Sequence, residues 1–237
     1  MTLLIPHRFN GPPGSGNGGY TCGLIAATIG EGAEVTLRKP PPLDTPLTVS
    51  VVDGVTLVHH GDVLIAEGRV IDWELEVPPP PTIDQAAEAV TRYVGFERHE
   101  FPTCFTCGPD RADGLGIWPG KVEGTDLVAS PWAAPADVAT VGDNLATEIV
   151  WAALDCPGAW VGARDITIDP VVLGRMAARV VKPLPVQGAF ISYAWGLGED
   201  GRKSYAGTAV ADESGQVLAY ARQTWIAVTA GAGRGAL

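Results

Sequence analysis

Two stretches of this chain repeat a pattern that few folds can accommodate twice. Leu37-Arg38-Lys39-Pro40-Pro41-Pro42-Leu43 resembles Val180-Val181-Lys182-Pro183-Leu184-Pro185-Val186. Each run leads through a small turn into a strand-like segment, Leu47 to Val52 in one case and Ala189 to Ala194 in the other. Further on, Gly61 to Arg69 resembles Gly215 to Arg222, and a helical segment precedes these elements in both halves. Self-similarity in this order implies two copies of one unit rather than one irregular domain. The first copy is truncated ahead of its helix, where the second has extra strand-like sequence.

Each copy reads as a helix followed by strands joined by tight turns. Tyr20 to Ile29 is small and apolar on nearly every side, as in a helix buried against a sheet, and Asn17 is placed to cap it. Glu34–Lys39, Leu47–Val52, Val55–His59 and Val63–Ile71 follow, with a hairpin signal at Asp53-Gly54. The second helix is expected over Gly142 to Pro157, with Asp143 or Asn144 as N-cap and Pro157-Gly158 as stop. After an irregular passage through residues 165–170, strands are expected at Ala177–Pro183, Ala189–Leu197, Ser204–Ala211 and Val217–Val228. The fold class is therefore α+β with antiparallel sheet. Pro78-Pro79-Pro80-Pro81 is a stiff spacer before a short amphipathic helix, Ile83 to Tyr93. The domain reading is a first, truncated unit over 1–77, a proline-rich linker and connector helix over 78–98, and a second unit over 99–237.

Charge and hydropathy exclude several roles. A net charge of −11 with no block of Lys and Arg argues against nucleic acid as a partner. The longest apolar run is too short to span a bilayer and the first residues lack a signal-peptide core, so no membrane insertion and a cytoplasmic location are expected. The Gly14-x-Gly16-x-x-Gly19 spacing follows Pro12-Pro13 rather than a strand, so it reads as a flexible loop leading to a helix, not as a dinucleotide site. Cys22, Cys104, Cys107 and Cys156 are too few and scattered for a disulfide framework. Cys104-Phe105-Thr106-Cys107, with His99 nearby, suggests zinc, but a structural site wants four ligands and no second matched pair is visible. The expectation is no metal, no cofactor, and two thiols beside a turn.

Chemistry is first suggested by carboxylates. Glu148 and Asp155 stand seven positions apart on the second helix and so share a face. A buried carboxylate is costly unless it is paired or used.

A duplicated helix-plus-meander resembles the double hotdog arrangement of acyl-CoA thioesterases. Cys104-Phe105-Thr106-Cys107-Gly108-Pro109 with Gly114-Leu115 is similar to an opening found in many hotdog thioesterase-like proteins. Asn17-Gly18-Gly19 resembles the start of the hotdog helix, and Leu154-Asp155 its late Leu-Asp in phenylacetyl-CoA-type thioesterases. The resemblance implies two units sharing a continuous sheet, with a reaction centre at their interface. A carboxylate from one helix meets the backbone N–H groups that open the other. On that reading Asp155, Gly18 and Gly19 form one complete site. The reciprocal pairing of Ala26 with Thr147 and Glu148 is dead. Asn17, Thr147, Glu148 and Trp151 are candidate substrate contacts, Trp151 or Trp160 lining an acyl tunnel. Arg175, Arg179, Lys182, Arg202 and Lys203 are candidates for coenzyme A phosphates. The implied function is hydrolysis of an acyl-CoA or related thioester, in a homo-oligomer. The alternatives are a non-catalytic acyl-CoA or lipid binder, and a hotdog dehydratase. The latter would need a His beside a carboxylate, whereas His7, His59, His60 and His99 all read as distant from the helices.

Overall fold

The computed structural model describes residues 1–161 and 170–228. Most of the irregular passage expected at 165–170 lies outside the described residues. The first half supplies β1 (Thr2–Leu3), α1 (Gly18–Ile29), β2 (Ala33–Leu37), β3 (Leu47–Val52), β4 (Val55–His60) and β5 (Val63–Val70). After α2 (Ile83–Val90) come β6 (Gly120–Lys121), β7 (Val128–Trp132) and a small ribbon of β8 (Thr140–Val141) with β9 (Asn144–Leu145). Then follow α3 (Thr147–Asp155), β10 (Val171–Val180), β11 (Phe190–Asp200), β12 (Lys203–Asp212) and β13 (Val217–Ala227).

Among the described residues, eleven strands form one antiparallel sheet in the order β1-β3-β4-β5-β2-β10-β13-β12-β11-β7-β6. Reading outward from the central seam gives β2-β5-β4-β3-β1 on one side and β10-β13-β12-β11-β7 on the other. The same order occurs twice, which is the expected duplication. At the seam Thr36 pairs with Arg175 and Glu34 with Ala177. The hydrogen bonds also align the repeats: Arg38 and Lys39 N–H both donate to the Ile65 carbonyl, as Val181 and Lys182 N–H do to that of Leu218. Ile65 therefore corresponds to Leu218 and Arg69 to Arg222, and the one-residue difference between the matched stretches falls in the hairpin tip. The Asp53-Gly54 turn has φ of 49° and 77°, the paired left-handed geometry that joins two-residue hairpins.

α1 and α3 pack antiparallel on one face of the sheet, closer than side chains would normally allow. A Cβ on Gly19 would lie 2.4 Å from the Asp155 Cβ, and one on Gly23 would lie 2.5 Å from the Glu148 Cα. Gly19 and Gly23 are one turn apart on one face of α1, so the contact requires glycine at both.

Both halves of the sheet use this inner face, but among the described residues only the second is covered outside. In β3, Leu47 and Val49 are buried while Thr48 and Ser50 are exposed, the alternation of a one-sided sheet. Phe190 to Trp195 of β11 are buried without a break. Ser192 points inward to the α3 carbonyl of Ala153, whereas the Tyr193 hydroxyl donates outward to Pro78 at 2.9 Å. The polyproline segment and α2, which starts with a Thr82/Gln85 capping box, lie over this outer face.

The α-helix stops at Asp155, ahead of Pro157-Gly158 as expected, and a 3-10 turn, Cys156–Trp160, follows it. Two local expectations are corrected. The N-cap of the second helix is Ala146, not Asp143 or Asn144, because Leu145 and Ala146 N–H are committed to Leu184 and Ala139 carbonyls. The loop before α1 is fixed rather than flexible: Gly16 and Asn17 N–H donate to Pro41 and Phe9 carbonyls, Phe9 stacks on Tyr20 at 3.9 Å, and Arg111 bonds the Arg8 carbonyl and the Asn10 side chain.

Candidate functional site

The site grows from two helix ends that meet. At the start of α1 the orphan N–H groups need acceptors. The Asn17 side chain takes Tyr20 N–H at 2.8 Å, its backbone carbonyl takes Thr21 N–H, and the Asp155 Oδ2 takes Gly19 N–H at 2.9 Å. Gly18 N–H has no partner among the described residues. The expected cap at Asn17 is present.

At the end of α3 the four last carbonyls face a dry interior and are each given a donor from elsewhere. Thr106 Oγ1 donates to Ala152, Ser192 Oγ to Ala153, and Gln223 Nε2 to both Leu154 and Asp155. Thr106, Ser192 and Gln223 are themselves buried. Together they hold the last turn of the helix and hence Asp155. Sequence reading missed all three, since a lone polar residue in a strand carries no signal of which carbonyl it will meet.

Asp155 is 2% exposed. Desolvation pushes its carboxyl up to about 7, against the pull of Gly19 N–H and Asn17 and with the neighbouring Cys104 adding to the rise. Its Oδ1 is buried with no hydrogen-bond partner among the described residues. A buried oxygen in that position wants a donor from outside the chain.

Such a donor has room to arrive. A cavity of about 440 Å³ is bordered by Asp155, Gly18 and Asn17 and walled by apolar groups including Phe101, Trp160, Leu173 and Trp225. Gly18 reaches this wall because a Cβ there would press against Leu173 at 2.8 Å. Of the expected substrate contacts, Asn17 borders the cavity, whereas Thr147, Glu148 and Trp151 are not among its described lining. Glu148 passes under Gly23, and Trp151 is only 2% exposed, its carbonyl 2.5 Å from where a Gly19 Cβ would stand. Of the two tryptophans named as candidates, Trp160 borders the cavity.

Arg175, Arg179, Lys182, Arg202 and Lys203, the residues expected to meet coenzyme A phosphates, are likewise not among the cavity's described lining. Arg175 bonds Thr36 and pairs with the buried Glu34, Arg179 stacks on Trp73, and Lys182 bonds Gln216. The cations bordering the cavity are Arg38, Lys39 and Arg98. Arg175 and Arg179 belong to β10 and are held by partners there, whereas the loop after β2 borders the cavity.

Beside Asp155 the structure also assembles what looked incomplete in sequence. The sulfurs of Cys104, Cys107 and Cys156 lie within 4.8 Å of one another, and all three residues are buried. His99 Nε2 is 3.4 Å from the Cys107 sulfur. His99 is thus not remote from the helices, and the thiols of Cys104 and Cys107 are not simply a pair beside a turn. These four residues could hold a metal ion.

No protein-family model and no curated protein matches the chain. Solved structures do match. A conserved protein of unknown function with the hot dog fold from Alicyclobacillus acidocaldarius aligns with a TM-score of 0.67 at 9% identity, over 97% of this chain and 93% of that one. The TesB protein of Mycobacterium avium subsp. paratuberculosis gives 0.60 at 10% identity, over 96% and 92%. Acyl-CoA thioesterase II of Mycobacterium marinum gives 0.59 at 11% identity, over 97% and 93%. The chain has the double hotdog fold, and at such identity the likeness speaks for fold alone.

Proposed function

We propose that the protein hydrolyses an acyl thioester of the acyl-CoA kind, at one site per chain. The observation that carries the reading is the Asp155 carboxylate: one oxygen is fixed by Gly19 N–H and the other is buried and unpartnered beside the cavity. Fixing Oδ2 orients Oδ1 as general base. Oδ1 takes a proton from water, whose oxygen attacks the thioester carbonyl carbon. The carbonyl oxygen gains negative charge and is met by Gly18 N–H at the positive end of α1. When the C–S bond breaks, the proton held on Asp155 passes to the departing thiolate and the carboxylate is restored. The acyl chain lies among Phe101, Trp160 and Trp225, with Arg38 and Lys39 toward the phosphates. Ala26, at the position corresponding to Asp155, offers no base, so the reciprocal site is silent.

The double hotdog fold shared with proteins named as thioesterases supports this reading over the dehydratase. His99 borders the same cavity, but Phe101 N–H occupies its Nδ1 at 3.0 Å and Nε2 faces Cys107, leaving neither nitrogen for a substrate proton. A panel of acyl-CoA thioesters with free-thiol detection tests the proposal on wild type and Asp155→Asn. The expected result is turnover on at least one thioester and a loss of ~10²–10⁴-fold in the variant. Tight binding without turnover in the wild type would instead establish the non-catalytic binder.

A further inference from the structure

We propose that His99, Cys104, Cys107 and Cys156 form a tetrahedral Cys3His zinc site that clamps the inter-unit segment to the end of α3. The three sulfurs are grouped at the spacing of metal ligands, and His99 adjoins them through Cys107. Zn–S bonds of about 2.3 Å and Zn–N bonds of about 2.0 Å put tetrahedral S···S edges at ~3.8 Å and S···N edges at ~3.5 Å. Here Cys104 and Cys156 sulfurs are 3.7 Å apart and the Cys107 sulfur is 3.4 Å from His99 Nε2. The third sulfur closes the group within 4.8 Å.

The surroundings favour thiolates over a disulfide. A disulfide would use two of the three sulfurs and strand the third, whereas an ion uses all of them. Asn17 Nδ2 lies 3.7 Å from the Cys104 sulfur and is a donor to it. Donors around a sulfur stabilise its anionic, metal-binding form. The Cys104–Cys107 loop is closed by Gly108 N–H on the Cys104 carbonyl at 2.9 Å. A Cβ on Gly108 would come within 2.5 Å of the Pro102 carbonyl, so the knuckle is built tight around the pair. Three soft thiolates and an imidazole select zinc over oxygen-seeking cations.

Loading has a proton balance. The three thiols give up their protons to solvent as Zn–S bonds form. His99 binds through Nε2 with its remaining proton on Nδ1, so the present Phe101 N–H contact to Nδ1 is released. Cys156 directly follows Asp155, and Asn17 caps α1 while touching Cys104. The ion therefore braces both helix ends that meet at Asp155, a structural role that stands whether or not the thioesterase reading holds.

Elemental analysis of the full chain, purified without chelator and then equilibrated with zinc, tests this directly. About one tightly held zinc per chain is expected, as for a closed structural site. Cys156→Ser and Cys107→Ser should each lose most of it, and Cys22→Ala, outside the cluster, should keep it. Should the serine variants fail to fold, cobalt loading of the wild type serves: tetrahedral thiolate-to-cobalt absorption is expected, and chelator should expose three further reactive thiols. Wild type without bound zinc or cobalt absorption, full zinc retention in a folded Cys156→Ser, or an intact mass two hydrogens lower with a mapped cystine would each overturn the proposal.

Discussion

The two units of this molecule share a strand order and differ at the two places where a helix end meets its partner. α1 opens with Gly18-Gly19 and carries Ala26 where α3 carries Asp155; α3 opens with Thr147-Glu148. Glycines let the start of α1 come close enough for Gly19 N–H to reach a carboxylate on α3. At the opposite end, Glu148 passes beneath Gly23 and no carboxylate of α1 answers it. The outer surfaces differ in the same sense, the second being covered by the linker and the first alternating with solvent. Duplication supplied two equal scaffolds, and divergence of a few side chains placed the polar chemistry at one end of the helix pair.

The sharpest way to break this comparison is to remove the carboxyl on each side in turn. Asp155→Asn should cost ~10²–10⁴-fold in kcat, while Glu148→Gln should leave it within about twofold. Thiol-release kinetics on matched, folded variants decides; equal losses would make the asymmetry irrelevant to catalysis. Next in size is the close helix contact. Gly19→Ala and Gly23→Ala should each lose about 1–3 kcal/mol in urea unfolding through overpacking, whereas Ala26→Gly should lose no more than about 1 kcal/mol, from helix propensity. Gln223→Leu strips the donor from two buried carbonyls and should cost about 1–3 kcal/mol, with a raised KM or lowered kcat as Asp155 shifts. The smallest effect concerns the outer face. Tyr193→Phe removes one hydrogen bond to Pro78 and should cost about 0.5–1.5 kcal/mol with unchanged turnover.

How far the sequence could be read depended on how local each signal was. The repeat, the Asn17 cap, the Asp53-Gly54 hairpin and the connector helix from Ile83 are written in neighbouring residues, and they lie where that reading put them. The start of α3 was misplaced because Asn144 and Leu145 are drawn into pairing with Pro185 and Leu184, far along the chain, which no window shows. The approach of Cys156 to Cys104 and Cys107 was not legible either: it comes from the end of a helix about 50 positions on, so no spacing rule could collect it.

The residues alone determined that the chain is two helix-and-meander units, because hydrophobic periodicity and turn chemistry act over a few residues. Which groups became a site was decided only in three dimensions. The approach of α1 to α3 buries Asp155, and donors from Thr106, Ser192 and Gln223 hold it there. Desolvation and close packing are sums over everything that surrounds an atom, and most of what surrounds Asp155 is distant in the chain.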